Sequence, residues 1–237
     1  MDATARSETL RIADSFSGYL AEPAAPTGRA VVVLQEIFGV TRKIRAYCDL
    51  FAQAGYTALA PDMFWRIEPG MELAHSESDL AKALDLLKRF SDPEGLNDID
   101  ACVAMLRARG AKKVGVVGYC MGGKLVGLAA ATGRVDAGVS YYGVGLEKHL
   151  DELRRVKCPL QMHFGAKDTY LPESARQAIA AALDERSRRQ IYVYPEAGHA
   201  FFRPDLKGSD SALAWERTTA FFNLHLSDQS SPAPAGN

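Results

Sequence analysis

The chain is expected to be an α/β protein, with a mainly parallel central sheet covered by helices on both faces. Three observations predict this. Short runs of Val, Leu, Ile and Ala, each bounded by Gly, Pro or Asp, alternate with stretches whose apolar residues recur every three or four positions. Helices of that length between strands call for right-handed crossovers, which give parallel pairing and a sheet buried on both sides. Finally, 237 residues with 47% hydrophobic content suffice for one large core, so residues 1–226 are expected to form a single domain.

After a polar start, residues 9–13 and 17–21 are expected to pair as an edge hairpin around 14–16. The stronger strands are expected at 30–35, 57–60, 114–118, 137–142, 159–165 and 190–195. Helical periodicity fills the gaps at 41–54, 76–90, 96–109, 121–132, 172–183 and 211–226. The segment 63–90 is longer than a crossover needs and opens on the aromatic pair Phe64 and Trp65, so it is expected to cap the site. The last stretch, 227–237, has the Ser/Pro/Ala/Gly composition of a disordered tail.

Composition excludes several function classes. Twenty-eight basic and 29 acidic residues leave a net charge of -1, and no run of Lys or Arg could track a phosphate backbone, so nucleic acid is not an expected partner. Cys48, Cys102, Cys120 and Cys158 show neither a C-x-x-C pair nor metal-ligand spacing, so neither zinc nor a disulfide framework is expected. The N-terminal residues carry acids and lack an apolar h-region, and no stretch reaches the roughly 18 apolar residues of a membrane span. A soluble cytoplasmic protein, monomeric or a small homo-oligomer, is expected.

The most informative segment is V114-G-V-V-G-Y-C-M-G-G-K-L125. It reads as a buried strand, a tight turn and a helix, and G118-Y-C-M-G122 matches the G-x-S-x-G nucleophile elbow with sulfur replacing oxygen. Glycines are needed there because the turn brings backbone segments into contact. Cys120 is thus lifted to a helix N-terminus, where the dipole favours a thiolate and the Met121 N–H is free to donate to a developing oxyanion.

A nucleophile in an elbow needs a base and an orienting acid. Strand 159–165 ends in A166-K-D168 and strand 190–195 in E196-A-G-H199, which gives the order Cys120, Asp168, His199 at the carboxyl ends of three strands. Taken singly, Asp168 reads as a cap for the following helix and His199 as a loop histidine; the ordered set points to catalysis. Strand 30–35 runs into Q35-E-I-F-G39, where the Ile37 N–H is expected as the second oxyanion donor. Glu36, a carboxylate beside an apolar run, either pairs with a nearby arginine or faces the site. His75, His149, His163 and His225 lack such placement and are read as structural or surface residues.

Together, Q35-E-I-F-G-V40, P61-D-M-F64, G118-Y-C-M-G-G123, Y141-Y-G-V-G-L-E-K148, G165-A-K-D168 and E196-A-G-H199 resemble the dienelactone hydrolases, or carboxymethylenebutenolidases, over about residues 10–226. The resemblance implies an α/β-hydrolase fold, no cofactor, and opening of a conjugated enol lactone to maleylacetate in the breakdown of catechols and chlorinated aromatics. It implies that Cys120 attacks the carbonyl, that His199 is acid and base, and that Asp168 fixes its tautomer. It further implies that Glu36 bonds the resting thiol and swings to take its proton on substrate binding, which would protect the sulfur from oxidation. Arg203 matches one of two arginines that hold the substrate carboxylate, and Tyr141 matches a position lining the site. The other arginine is missing near Leu80, Leu84 and Leu87 replace aromatic residues, and Lys82 is a candidate substitute that lacks the guanidinium fork. Two other functions stay open: an esterase or thioesterase acting on a neutral ester or another lactone, and a non-catalytic binding protein with a reactive thiol.

Overall fold

The computed structural model describes residues 5–13, 15–74, 76–183 and 189–227. Its strands are β1 (Arg6–Ile12), β2 (Phe16–Glu22), β3 (Arg29–Leu34), β4 (Thr57–Pro61), β5 (Lys113–Tyr119), β6 (Ala137–Tyr141), β7 (Leu160–Gly165) and β8 (Gln190–Tyr194). They form one sheet in the order β1-β2-β4-β3-β5-β6-β7-β8. The β1–β2 hairpin and the β2–β4 pair are antiparallel, and the remaining pairs are parallel. Asp14, in the expected hairpin turn, and residues 228–237 of the expected tail lie outside the described residues.

The buried runs face two cores because successive side chains on a strand point to opposite faces. Along β3, Ala30, Val32 and Leu34 enter one core with α3 (Asp92–Ala108), α4 (Met121–Thr132) and α6 (Glu173–Ala182). Val31 and Val33 enter the other, with α1 (Arg42–Gln53) and α7 (Ser209–Leu226). The two-sided covering follows directly.

Helix starts obey local chemistry. The Ser76 hydroxyl caps α2 (Glu77–Arg89) by accepting from the Asp79 N–H, with acids in its first turn and Lys88 and Arg89 in its last. Ser91 caps α3 through the Glu94 N–H, with a proline in its first turn. That cap places the start of α3 at Asp92, four residues before the periodicity predicts. A short 3₁₀ turn at Leu146–Lys148 and α5 (Leu150–Leu153) were not expected, being too brief for periodicity to register.

Strand order reverses at β3, whose neighbours are β4 on one side and β5 on the other. Sites in open α/β sheets collect at the carboxyl ends of strands beside such a switch point. Here those ends carry Gln35 to Gly39 and Cys120.

Segment 63–90 is held at its start by the buried Asp98 carboxylate, which accepts from Trp65 Nε1 at 3.1 Å and from Arg66 Nη2 at 3.0 Å. It then reaches the loop after β3, where the Leu73 N–H donates to the Phe38 carbonyl and Gly39 bridges Glu72. Its contact with the site runs through that loop. Helix α2 shows Leu80 and Leu84 to solvent.

Candidate active site

Cys120 sits between β5 and α4 at φ 54° and ψ −112°, a conformation that costs a residue with a Cβ about 1–3 kcal/mol. The surrounding structure enforces it. The Cys120 N–H donates to the Tyr141 carbonyl at 3.1 Å, and the Gly122 N–H donates to the Gln35 carbonyl at 3.1 Å, tying the β5 turn to the loop after β3. A Cβ on Gly118 would collide with the Gly122 carbonyl, and one on Gly122 would lie 2.5 Å from Leu34 O and 2.7 Å from Gln35 O. Both neighbours are backbone and cannot swing aside. Gly122→Ala is therefore expected to destabilise the fold by about 3 kcal/mol, lowering the melting temperature by about 10 °C. A melting temperature within about 2 °C of wild type would mean that the two loops are not in this contact.

The same tie sets Glu36 and Ile37 beside the elbow. The N–H groups of Ile37 and Met121 have no oxygen acceptor among the described residues, so both are available to a developing oxyanion. The Met121 N–H also favours the thiolate of Cys120. It is outweighed. Burial, then the Glu36 charge, then Asp168 push the Cys120 thiol up to about 12, so the resting sulfur is protonated at neutral pH. Cys120 is partly exposed, whereas Cys48, Cys102 and Cys158 are buried. Its alkylation by iodoacetamide in the native protein is expected to rise about tenfold per pH unit from 7 to 10, without a plateau. A plateau below pH 8 would show a resting thiolate instead.

Glu36 is 5% exposed, and its charge acts on the Cys120 thiol. Its partner is Lys43 in the first turn of α1, whose Nζ lies 3.2 Å from both carboxylate oxygens, rather than the arginine that one of the two sequence readings offered. Asp168 and His199 come together as their order in the chain predicts. The loop after β7 brings Asp168 Oδ2 to 2.8 Å from His199 Nδ1, and Asp168 Oδ1 accepts from the Tyr170 N–H at 2.9 Å. The carboxylate side chain is fully buried and the imidazole 20% exposed. An imidazole held in this way by Nδ1 keeps Nε2 free to take and return protons.

Tyr141 is a correction. It is fully buried, stacks on His163 at 4.4 Å, and its hydroxyl meets Thr218 Oγ1 at 2.7 Å and Ala214 O at 3.1 Å under α7. It belongs to the core, because strand alternation turns it to the α7 face. Its neighbour Tyr142, just past the strand at φ 39°, meets the His199 ring edgewise at 5.0 Å. The buried Tyr142 hydroxyl has no hydrogen-bond partner among the described residues; the nearby Tyr47 hydroxyl donates instead to Phe202 O at 2.8 Å. Removing an unpaired buried hydroxyl relieves desolvation, so Tyr142→Phe is expected to keep or gain about 1 kcal/mol of stability. A loss above about 1 kcal/mol in urea denaturation would reveal a partner.

Tyr170, exposed, also meets the His199 ring in a T-shaped contact at 5.0 Å and was missed by sequence reasoning, although its position two residues after Asp168 carried the signal. The Arg203 side chain is exposed, with no carboxylate partner among the described residues, and its N–H donates to Ser211 Oγ. Lys82 does not replace the missing arginine, because its ammonium is held by Glu68 at 2.6 Å. His149 approaches Asp92 and Glu152, and His163 is a buried core histidine between Tyr194 and Gln161; His75 lies outside the described residues. No group of three or more His, Cys, Asp or Glu side chains could hold a metal ion among the described residues. None of the described helices is long and apolar enough to cross a membrane.

A sequence model of the dienelactone hydrolase family matches residues 16–226. The chain belongs to that family. It is 38% identical to the carboxymethylenebutenolidase of Pseudomonas putida over 213 residues, covering 87% of this chain and 90% of the relative. It is 37% identical to a putative carboxymethylenebutenolidase of Azospirillum brasilense over 220 residues, with 90% and 94% covered. Among solved structures, a putative dienelactone hydrolase from Klebsiella pneumoniae superposes with a TM-score of 0.79 at 29% identity, covering 92% of this chain and 98% of that one. Membership makes the fold an α/β-hydrolase fold and the chain a hydrolase of the dienelactone hydrolase family.

Proposed function

We propose that the protein opens dienelactone to maleylacetate through a thioester formed on Cys120, in the breakdown of aromatic and chloroaromatic compounds. The observation that carries this reading is the strained turn that raises Cys120 between the paired loops after β3 and β5, together with an Asp168–His199 pair of 2.8 Å in the same site. In the first step the thiol loses its proton to Glu36, and the sulfur forms a bond to the lactone carbonyl carbon. The carbonyl electron pair moves to oxygen, which accepts from the N–H groups of Ile37 and Met121. Collapse breaks the ring C–O bond and releases an enolate, which becomes the ketone on protonation. A water molecule, deprotonated by His199 Nε2, then attacks the thioester; the C–S bond breaks and the sulfur regains a proton. The sum is lactone plus water giving the keto acid.

Four free cysteines accord with a reducing, cytoplasmic setting for this chemistry. Arg203 is the proposed contact for the substrate carboxylate at the rim. Arg203→Ala is expected to raise KM about tenfold or more for carboxylated substrates and to spare neutral esters. An equal loss on both would assign Arg203 to structure.

A second reading keeps the mechanism and changes the substrate to a neutral ester or another lactone. The engagement of Lys82 by Glu68, which leaves Arg203 without a second cation for a substrate carboxylate, favours it. Rates on cis- and trans-dienelactone, measured beside a neutral p-nitrophenyl ester, separate the two. Rapid loss of a dienelactone isomer supports the first reading, and turnover of the neutral ester alone supports the second.

A further inference from the structure

A cavity of about 670 Å³ opens between α3, the second half of α4 and α5. Its α4 wall, Leu128, Ala131 and Thr132, lies eight to twelve residues past Cys120, about 12–18 Å along the helix axis. The cavity is therefore separate from the thiol and its partners. Its volume falls in the range of about 300–1,000 Å³ that suits a small organic ligand.

The lining is divided. Leu96, Leu128 and Ala131 are half-buried or buried and form an apolar floor, whereas the side chains of Arg134, Arg155 and Lys157 stand exposed around it. Two acids, Asp92 and Glu152, also line the cavity, but both are already matched. Lys124 Nζ donates to the two Asp92 oxygens at 2.6 and 2.8 Å, Arg155 stands 3.8 Å from Glu152, and the His149 ring lies between the two acids at 3.7 and 3.9 Å. Arg134 is paired with Asp100. One cation is left over, because the Lys157 ammonium has no carboxylate partner among the described residues.

Nor is that ammonium needed to finish α4. The carbonyls of its last turn are met by other groups: Ala129 O accepts from Thr132 Oγ1 at 2.7 Å, and Ala130 O accepts from the Lys157 backbone N–H at 3.1 Å. The Lys157 main chain closes the helix and its side chain is free to meet a ligand. An apolar floor beside an unmatched cation complements a molecule that is apolar along its body and anionic at one end.

We propose that this cavity is a second ligand site, separate from the catalytic one, for a flat aromatic carboxylate whose rings lie on Leu96, Leu128 and Ala131 and whose anion meets Lys157. No covalent step takes place there, and the inference is independent of the role of Cys120.

Isothermal titration calorimetry with 2-naphthoate tests it, in an Arg203→Ala background that removes the proposed carboxylate contact of the catalytic pocket. Binding is expected to persist in that background. Adding Lys157→Glu is expected to weaken it about tenfold, and adding Ala131→Trp, which fills the floor, to abolish it. The neutral 2-naphthylmethanol, with the same rings and no anion, is expected to bind about tenfold more weakly than the naphthoate. Naphthoate affinity within twofold of the background in Lys157→Glu, or equal affinity for the alcohol, overturns the proposal. So does the absence of binding up to millimolar naphthoate, or its loss in Arg203→Ala alone, which would put the ligand in the catalytic pocket. Should Ala131→Trp fail to fold, as judged by circular dichroism, Lys157→Glu decides, since it changes only an exposed side chain. Lys157→Glu in the otherwise native chain is expected to leave turnover unchanged, so failure of the lactonase reading appears in the kinetics and failure of this one in the titration.

Discussion

Cys120→Ala is expected to lower the turnover of dienelactone by about 10⁴-fold to 10⁶-fold while the protein melts within a few degrees of wild type. The loss is large because no other nucleophile stands in the elbow: Met121 has no attacking group, and the buried Cys48, Cys102 and Cys158 belong to the cores rather than to the turn. The fold is spared because the strain at φ 54° belongs to the backbone and to any Cβ, which alanine shares, and because the change removes a single atom from a partly exposed residue. The residual rate should be that of an oxyanion site with a water nucleophile. Steady-state rates with a melting curve on the same preparation check both parts. Hydrolysis retained within tenfold of wild type would remove the thioester mechanism.

Asp168→Asn should cost about 10⁴ in kcat, with KM nearly unchanged. The amide keeps the shape of the carboxylate but can present its NH₂ to His199 Nδ1, which selects the tautomer with the proton on Nε2 and removes the base. It also withdraws the charge that stabilises an imidazolium, from a side chain that is wholly buried 2.8 Å away. The same carboxylate accepts the Tyr170 N–H at 2.9 Å, a purely structural task that asparagine can also perform. The kinetic split therefore discriminates. A drop below tenfold in kcat, with a shift in stability, would leave Asp168 as a turn residue and His199 without its orienting acid.

Much of the fold was legible because it is written in local patterns. The bounds of β4, β7, β8 and α4 lie within a residue of those that periodicity and the flanking Gly, Pro and Asp residues predict. The elbow was legible for the same reason, since a strand, two glycines and a helix-forming run are adjacent in sequence. Where a cap competed with periodicity, the cap prevailed, as Ser91 shows by starting α3 early. Tyr141 and Tyr142 mark the limit. Adjacent and chemically identical, both join the core under α1 and α7, and the left-handed backbone at Tyr142 that takes it to His199 has no signature in a pair of tyrosines.

The alternation of strands and helices, the turn that lifts Cys120, and the order in which Asp168 and His199 follow it are all written in the chain, because each depends on neighbours a few residues apart. That Lys43, and not an arginine, holds Glu36, that Tyr142 and Tyr170 both contact His199, and that the resting sulfur keeps its proton emerge from the folded packing alone. Those outcomes depend on which groups meet once burial has removed water, and that is set by packing between elements far apart in the chain.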